Sequence, residues 1–151
     1  MSFLSTSSYM QEALNLAKLA QENHEIPVGC VIVQDNQIIA KAFNQNIALK
    51  DPSAHAEILA IRLACAVKNS HQLPDADIYI TLEPCLMCLG AISFARIKRI
   101  YYGANDPKFG AIESNPIAKN ANFSYFKSEI YSGICAQQSS DLLKNFFQNK
   151  R

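Results

Sequence analysis

The run Asp77-Ile78-Tyr79-Ile80-Thr81-Leu82-Glu83-Pro84-Cys85-Leu86-Met87-Cys88 constrains this chain more than any other stretch. Its first six residues alternate and are rich in β-branched and aromatic side chains, the pattern of a strand. The strand runs directly into Glu83-Pro84-Cys85, so that Cys85 opens a helix reaching Ala95. A strand feeding a helix in this way belongs to an α/β sheet, and open sheets of that kind place ligands beyond the carboxyl ends of their strands. Cys85 and Cys88 stand at that junction. Three residues apart on one helical turn, their sulfurs face a common point.

The remaining elements follow from spacing. Ser8-Tyr9-Met10-Gln11 has the form of a capping box, and Met10, Ala13, Leu14, Ala17 and Ala20 recur at helical intervals, which predicts a helix from about Tyr9 to Glu22. Val28 to Val33 and Ile38 to Phe43 are short apolar runs joined by Gln34-Asp35-Asn36-Gln37, a hairpin. The first of them is apolar on both faces and predicts an interior strand. Asp51-Pro52-Ser53 predicts a helix start, with Ala54 to Lys68 as a buried helix. Ile97 to Tyr102 predicts a strand, Gly103 to Gly110 a loop, Ser114 to Asn122 a short helix and Phe123 to Tyr131 a last strand. Ser139 to Arg151 closes as an amphipathic helix, with Leu142, Leu143 and Phe146 packing inward. The order predicts an α/β fold: a mixed sheet covered by helices on both faces.

Composition sets the bounds. A chain of 151 residues, 49% hydrophobic and 18% charged, predicts one domain over residues 1–151 with a single core. Met1 to Ser8 lacks a basic head followed by an apolar core, and no apolar run approaches the roughly 18 residues of a membrane span. No membrane partner is expected. Five cysteines, an odd number, in such a chain point to a reducing cytoplasm and against a disulfide framework. Cys30 and Cys65 read as packing residues, Cys135 as structural, and His24 and His71 as solvated. Net charge is only +1, yet residues 1–95 hold five Lys/Arg against nine Asp/Glu, and residues 96–151 nine against four. That basic third suits an RNA footprint or an ordinary solvated surface equally well.

For Cys85 and Cys88 the readings are a redox pair, a structural metal knuckle, two buried thiols or a catalytic metal centre. A structural zinc normally takes four protein ligands. Two cysteines with a distant histidine, for which His55 is the candidate, give three and leave one position for water, the arrangement of a catalytic zinc. Glu57 lies two residues beyond His55. Residues two apart on a regular helix point in nearly opposite directions, so helical spacing alone does not bring His55 and Glu57 together.

His55-Ala56-Glu57 followed by Pro84-Cys85-Leu86-Met87-Cys88 is the signature of the zinc-dependent nucleobase deaminases. With Ile26-Pro27-Val28-Gly29, Asn44, Asp51 to Ile58, Thr81 to Cys88, Gly90-Ala91, Arg96 to Ile100, Tyr102-Gly103-Ala104, Asp106-Pro107-Lys108 and Phe146-Phe147, the chain resembles the tRNA-specific adenosine deaminase branch over nearly its whole length. The resemblance implies a cytidine deaminase-like three-layer α/β/α sandwich on a mixed five-stranded sheet. It implies Zn²⁺ held by His55, Cys85 and Cys88, and Glu57 as the group that moves protons during hydrolytic deamination. The implied substrate is the wobble adenosine of a tRNA anticodon stem-loop, everted from its stack and converted to inosine by a cytoplasmic homodimer.

Asn44, Ala56, Pro84, Asp106, Lys108, Phe147, Lys150 and Arg151 are the substrate-contact candidates that the resemblance supplies. For Lys150 and Arg151 a solvated chain end is an equal reading. Two rivals stand beside it: a deaminase of a free base or nucleoside of guanine or cytosine type, and a noncatalytic zinc module that binds RNA. Intact Glu57 argues against the second. Phe109, Cys30 and Ser114 to Tyr125 depart from the family pattern.

Overall fold

The structure is a computed structural model that describes residues 5–117 and 126–149. Its sheet has five strands in the order β2-β1-β3-β4-β5. They are β1 (Gly29–Gln34), β2 (Gln37–Phe43), β3 (Asp77–Leu82), β4 (Arg99–Ala104) and β5 (Glu129–Tyr131). β1 is antiparallel to both β2 and β3, whereas β3, β4 and β5 run parallel, so the sheet is mixed. Four helices among the described residues cover it: α1 (Thr6–Glu22), α2 (Ala56–Lys68), α3 (Leu86–Phe94) and α4 (Ala136–Gln148). This is the expected three-layer arrangement, with β1 in the interior.

Alternation along the strands divides the core between two faces. Cys30, Ile32, Ile78, Ile80, Ile100 and Tyr102 point to the face of α2 and α3, where Ala60, Ala64, Leu89 and Ile92 meet them. Val31, Val33 and Tyr79 point to the other face, against Tyr9, Met10, Ala13 and Leu14 of α1, with Leu142 of α4 partly buried beside them. On that face Tyr79, Tyr101 and Tyr131 form a ladder across β3, β4 and β5, with ring centroids 4.4 and 4.9 Å apart, and Tyr9 of α1 packs edge-on against Tyr79 at 5.2 Å. Such cross-strand aromatic pairs fix register as well as bury area. The hairpin turns through Asp35 and Asn36, both at positive φ (53° and 61°), which matches the twist of the strands it joins.

Several element ends differ from the spacing-based expectation. α1 starts at Thr6, because Ser5 and not Ser8 is the cap: its hydroxyl accepts the Ser8 N–H at 3.2 Å. α2 starts at Ala56. Asp51 does not cap it but closes a local turn, accepting from the Ser53 N–H at 2.8 Å and the Ser53 hydroxyl at 2.7 Å. Nor is α2 buried throughout: Ala56, Glu57, Ala60 and Ala64 face the core, while Leu63 and Val67 are 50% and 64% exposed. β4 begins two residues late, since Arg96 at φ 57° ends the preceding helix in a left-handed turn. The last strand is only Glu129–Tyr131; Phe126 to Ser128 precede it without strand pairing, and 123–125 lie outside the described residues. α4 starts at Ala136, three residues early. The expected helix over Ser114 to Asn122 falls largely outside the described residues; Ser114 and Asn115 form a turn and a bend.

The directions of the strands decide where the chemistry gathers. β3 ends where β1 begins, and β2 ends beside the same edge: Gly29 pairs with Phe43, and its N–H donates to Thr81 Oγ1 at 3.1 Å. The segments after β2, β3 and β4 therefore all leave the sheet at one end. α1 packs so closely on β1 there that a Cβ on Gly29 overlaps the Ala13 carbonyl oxygen and stands 2.7 Å from Ala17 N. Gly29→Ala is expected to destabilise the fold by about 1–3 kcal/mol through this overpacking. Urea unfolding with an unchanged midpoint would refute that close approach.

Candidate active site

His55 and Cys85 occupy equivalent places in the fold. Each is the residue just before a helix, with extended backbone (φ −71°, ψ 153° and φ −74°, ψ 173°), and neither side chain caps its helix. Being outside the helix frees His55 from helical geometry. Its ring turns toward the cysteines, while Glu57, already inside α2, points into the interior and is 4% exposed. This removes the conflict that two-residue spacing poses on a regular helix. Cys88, fully buried, lies in the first turn of α3.

His55 Nδ1 is 3.6 Å from Cys85 Sγ and 3.4 Å from Cys88 Sγ, and all three donor atoms lie within 4.8 Å of one another. Zinc bonds of about 2.3 Å to sulfur and 2.0–2.1 Å to nitrogen give a tetrahedral edge of about 3.5 Å, so the donor set fits Zn²⁺. Glu57 is outside this set among the described residues. His24 and His71 are exposed and take no part.

The ionisable groups respond to one another. The Cys85 thiol is pushed down to about 4, chiefly by the hydrogen bond from Cys88 and then by His55. Cys88, hydrogen-bonded to that sulfur and buried, is pushed up. The hydrogen bond with Cys85 raises His55. Burial raises Glu57 above the usual carboxylate range. First turns of two helices face this cluster, and their dipoles favour negative charge on sulfur.

Other candidates fall in different places. Asn44 is buried just past β2, and its Oδ1 accepts the Ala56 N–H at 2.8 Å. Asn44 and Ala56 thus enter the site as one unit, with the asparagine oxygen taking the N–H that His55 leaves uncapped. Pro84 is buried, and its carbonyl accepts the Ala111 N–H at 2.9 Å. Asp106 is a turn former: its Oδ1 accepts from the Lys108 and Phe109 N–H groups, each at 3.1 Å. Lys108 is exposed and lines an open depression of about 830 Å³ with Cys85, Leu86, Met87, Phe109 and Asn115. Phe147 is half exposed on α4, its ring edge-to-face with Phe146 at 5.3 Å, and is not part of that lining. Lys150 and Arg151 lie outside the described residues.

Residues 5–104 match the family model described as the cytidine and deoxycytidylate deaminase zinc-binding region. The chain is 46% identical over 143 residues to a tRNA-specific adenosine deaminase of Agrobacterium fabrum, covering 95% of this chain and 94% of the relative. It belongs to the tRNA-specific adenosine deaminase family of zinc deaminases. A second member, from Rickettsia typhi, is 49% identical over 144 residues, covering 94% of this chain and 97% of the relative. Among solved structures, one from a study of A-to-I editing by tRNA:A34 deaminases superposes with a TM-score of 0.86 at 46% identity, covering 89% of this chain and 98% of that one. A guanine deaminase of Bacillus subtilis superposes with a TM-score of 0.66 at 38% identity, covering 80% and 71%.

The cofactor of this deaminase is zinc, for which the fold provides a nitrogen and two sulfurs. Two buried acids to which the sequence reading gave no role, Glu83 and Glu25, hold loops beside the site. The Glu25 carboxylate accepts the Ile47 and Ala48 N–H groups at 3.1 and 2.9 Å, holding the loop that follows Asn44. Neither role has a local signal in the sequence: Glu25 follows the polar stretch Glu22-Asn23-His24, and Glu83 stands inside the Thr81 to Cys88 run with partners far along the chain. Removing the metal with a chelator is expected to lower the melting temperature, and zinc is expected to restore it. The gain is about 2.7 kcal/mol at free zinc 100 times Kd. Calorimetry that gave one temperature for both forms would contradict a preformed ligand set.

Proposed function

We propose that this protein hydrolyses the 6-amino group of adenosine at the wobble position of a tRNA anticodon loop, giving inosine and ammonia. The observation that carries this reading is a three-ligand metal set with a buried, non-ligating carboxylate against it, in a chain whose relatives of matching length are tRNA-specific adenosine deaminases. Held by His55, Cys85 and Cys88, Zn²⁺ supplies Lewis-acid chemistry that brings the pKa of water toward neutrality.

Glu57 is the proton carrier. It takes a proton from the attacking water and gives it to the ring nitrogen beside C6. Later it passes a proton to the departing amine, so that adenosine and water become inosine and ammonia. Burial raises its pKa, the direction that favours a group which must donate a proton as well as accept one. Asn44, held against the Ala56 N–H through its oxygen, offers its amide NH₂ to the base or ribose. Pro84 forms the floor beside Cys85. Lys108, Phe147, Lys150 and Arg151 are assigned to the RNA backbone and flanking bases, and Asp106 acts through the turn that presents Lys108.

Residues 1–151 act as one deaminase domain in the cytoplasm. No helix among the described residues is long and apolar enough to cross a membrane. The working form is a homodimer: Leu63 and Val67 on α2 expose apolar surface that a second copy covers. A mass of twice 16.7 kDa in sedimentation equilibrium is expected, and a monomer at micromolar concentration would refute the dimer.

The likeness to a guanine deaminase favours one alternative, a free-base substrate held by the same zinc residues. An adenosine-containing anticodon stem-loop, free guanine and cytidine assayed side by side separate the two. Inosine from the stem-loop alone is expected; turnover of guanine alone would overturn the tRNA assignment. Glu57→Ala is expected to keep stoichiometric zinc and to lose about 10²–10⁴-fold in rate. A variant of undiminished activity would remove Glu57 from the mechanism.

A further inference from the structure

Two residues before Cys85 the chain buries a carboxylate that the chemistry above leaves unused. Glu83 is 2% exposed. Its Oε1 accepts from Asn105 Nδ2 at 3.3 Å, the Asp106 N–H at 3.1 Å and the Ser114 hydroxyl at 2.6 Å. Its Oε2 accepts the N–H groups of Ile112, Glu113 and Ser114 at 3.0, 2.9 and 3.0 Å. Three donors converge on each oxygen, and every one belongs to the segment 105–114. Only an acceptor-only group with two equivalent oxygens satisfies all of them. Gly110 lies so close that a Cβ there overlaps the Glu83 carboxylate.

The same segment forms a wall of the depression beside Cys85 through Lys108, Phe109, Gly110 and Ala111. Its other ties also run to the metal-binding segment and the sheet. The Ala111 N–H donates to the Pro84 carbonyl at 2.9 Å, Gly110 bridges Cys85, and the Tyr102 hydroxyl donates to the Glu113 carboxylate. The tip faces outward: Lys108 and Phe109 are exposed, with the ammonium 5.1 Å from the ring centroid. A cation beside an exposed aromatic ring matches the chemistry of a phosphate next to an unstacked base. Fixing such a tip before binding spares the ligand the entropy of ordering it.

We propose that Glu83 is a positioning residue for the nucleic-acid substrate: by gathering six donors from the 105–114 loop it fixes Lys108 and Phe109 at the rim of the site, and so sets affinity for RNA and not the rate of the chemical step. This rests on the reading of the substrate as RNA.

Glu83→Gln tests it, because the amide keeps the size but sets an NH₂ donor against three other donors. Three measurements are made on the zinc-loaded variant: metal stoichiometry, amide hydrogen exchange at Asp106 and Ile112 to Ser114, and steady-state kinetics on the anticodon stem-loop. Zinc is expected to stay stoichiometric, exchange at those amides to accelerate, and KM to rise about tenfold with kcat nearly unchanged. Faster exchange with an unaltered KM would make the clamp structural only, and a fall in kcat at constant KM would tie Glu83 to the chemistry; either overturns the proposal. Zinc loss would also overturn it, by showing that Glu83 supports Cys85 and not the loop. Should Glu83→Gln not fold, the Asn105→Ala/Ser114→Ala pair removes two donors and leaves the carboxylate, and the same rise in KM is required. If the wild type deaminates no stem-loop, the functional reading fails by itself. Fluorescence anisotropy of labelled stem-loop on wild type and variant then decides the positioning role, with equal affinity refuting it.

Discussion

Two helix starts converging at one end of a mixed sheet are the constraint on which everything else here depends. A residue placed just before a helix is not bound by helical periodicity, yet it is held firmly by the helix that follows. His55 and Cys85 both sit in that position, and Cys88 follows in the first turn. The metal ligands are therefore fixed by two packed helices, and each helix directs its positive end at the thiolates. Sheet topology brings the starts together. Because β1 is antiparallel to β3 and β3 is parallel to β4, the ends of β2, β3 and β4 open on the same side. Had β3 and β4 been antiparallel, the loop carrying Lys108 would leave from the opposite end.

Three buried acids do different work around this point. Glu57 sits against the metal ligands, and burial raises its carboxyl above its ordinary value. Glu83 and Glu25 are surrounded by donors, and each pins a loop flanking the site: 105–114 in one case and the stretch after Asn44 in the other. For Glu83 the donors outweigh burial and hold the carboxyl below its ordinary range. A buried carboxylate is tolerated where hydrogen bonds replace the water it gives up, and here the replacement also shapes the walls of the cavity.

Much of this was legible in the chain itself. The strand-to-helix junction at Leu82 to Cys85 was legible because an alternating run meets a helix former across a single proline. The ladder of core residues was legible because period and composition agree. Element starts were less so. Ser5 and Ser8 are equally good caps by chemistry, and in the structure it is Ser5 whose hydroxyl accepts the Ser8 N–H. Asp51 looks like a cap but is consumed by its own turn with Ser53. The role of Glu83 was hidden for a different reason. Its partners lie 22 to 31 residues away, and no local pattern reports a contact at that range. The pairing of His55 with Glu57 came from resemblance, and its physical basis is a helix that begins between them.

X-ray absorption at the zinc edge of the purified protein tests the central claim most directly. The account predicts two sulfur scatterers at about 2.3 Å, with the rest of the shell made of nitrogen or oxygen at about 2.0–2.2 Å. A shell of four sulfurs, or one with no sulfur at all, would contradict it.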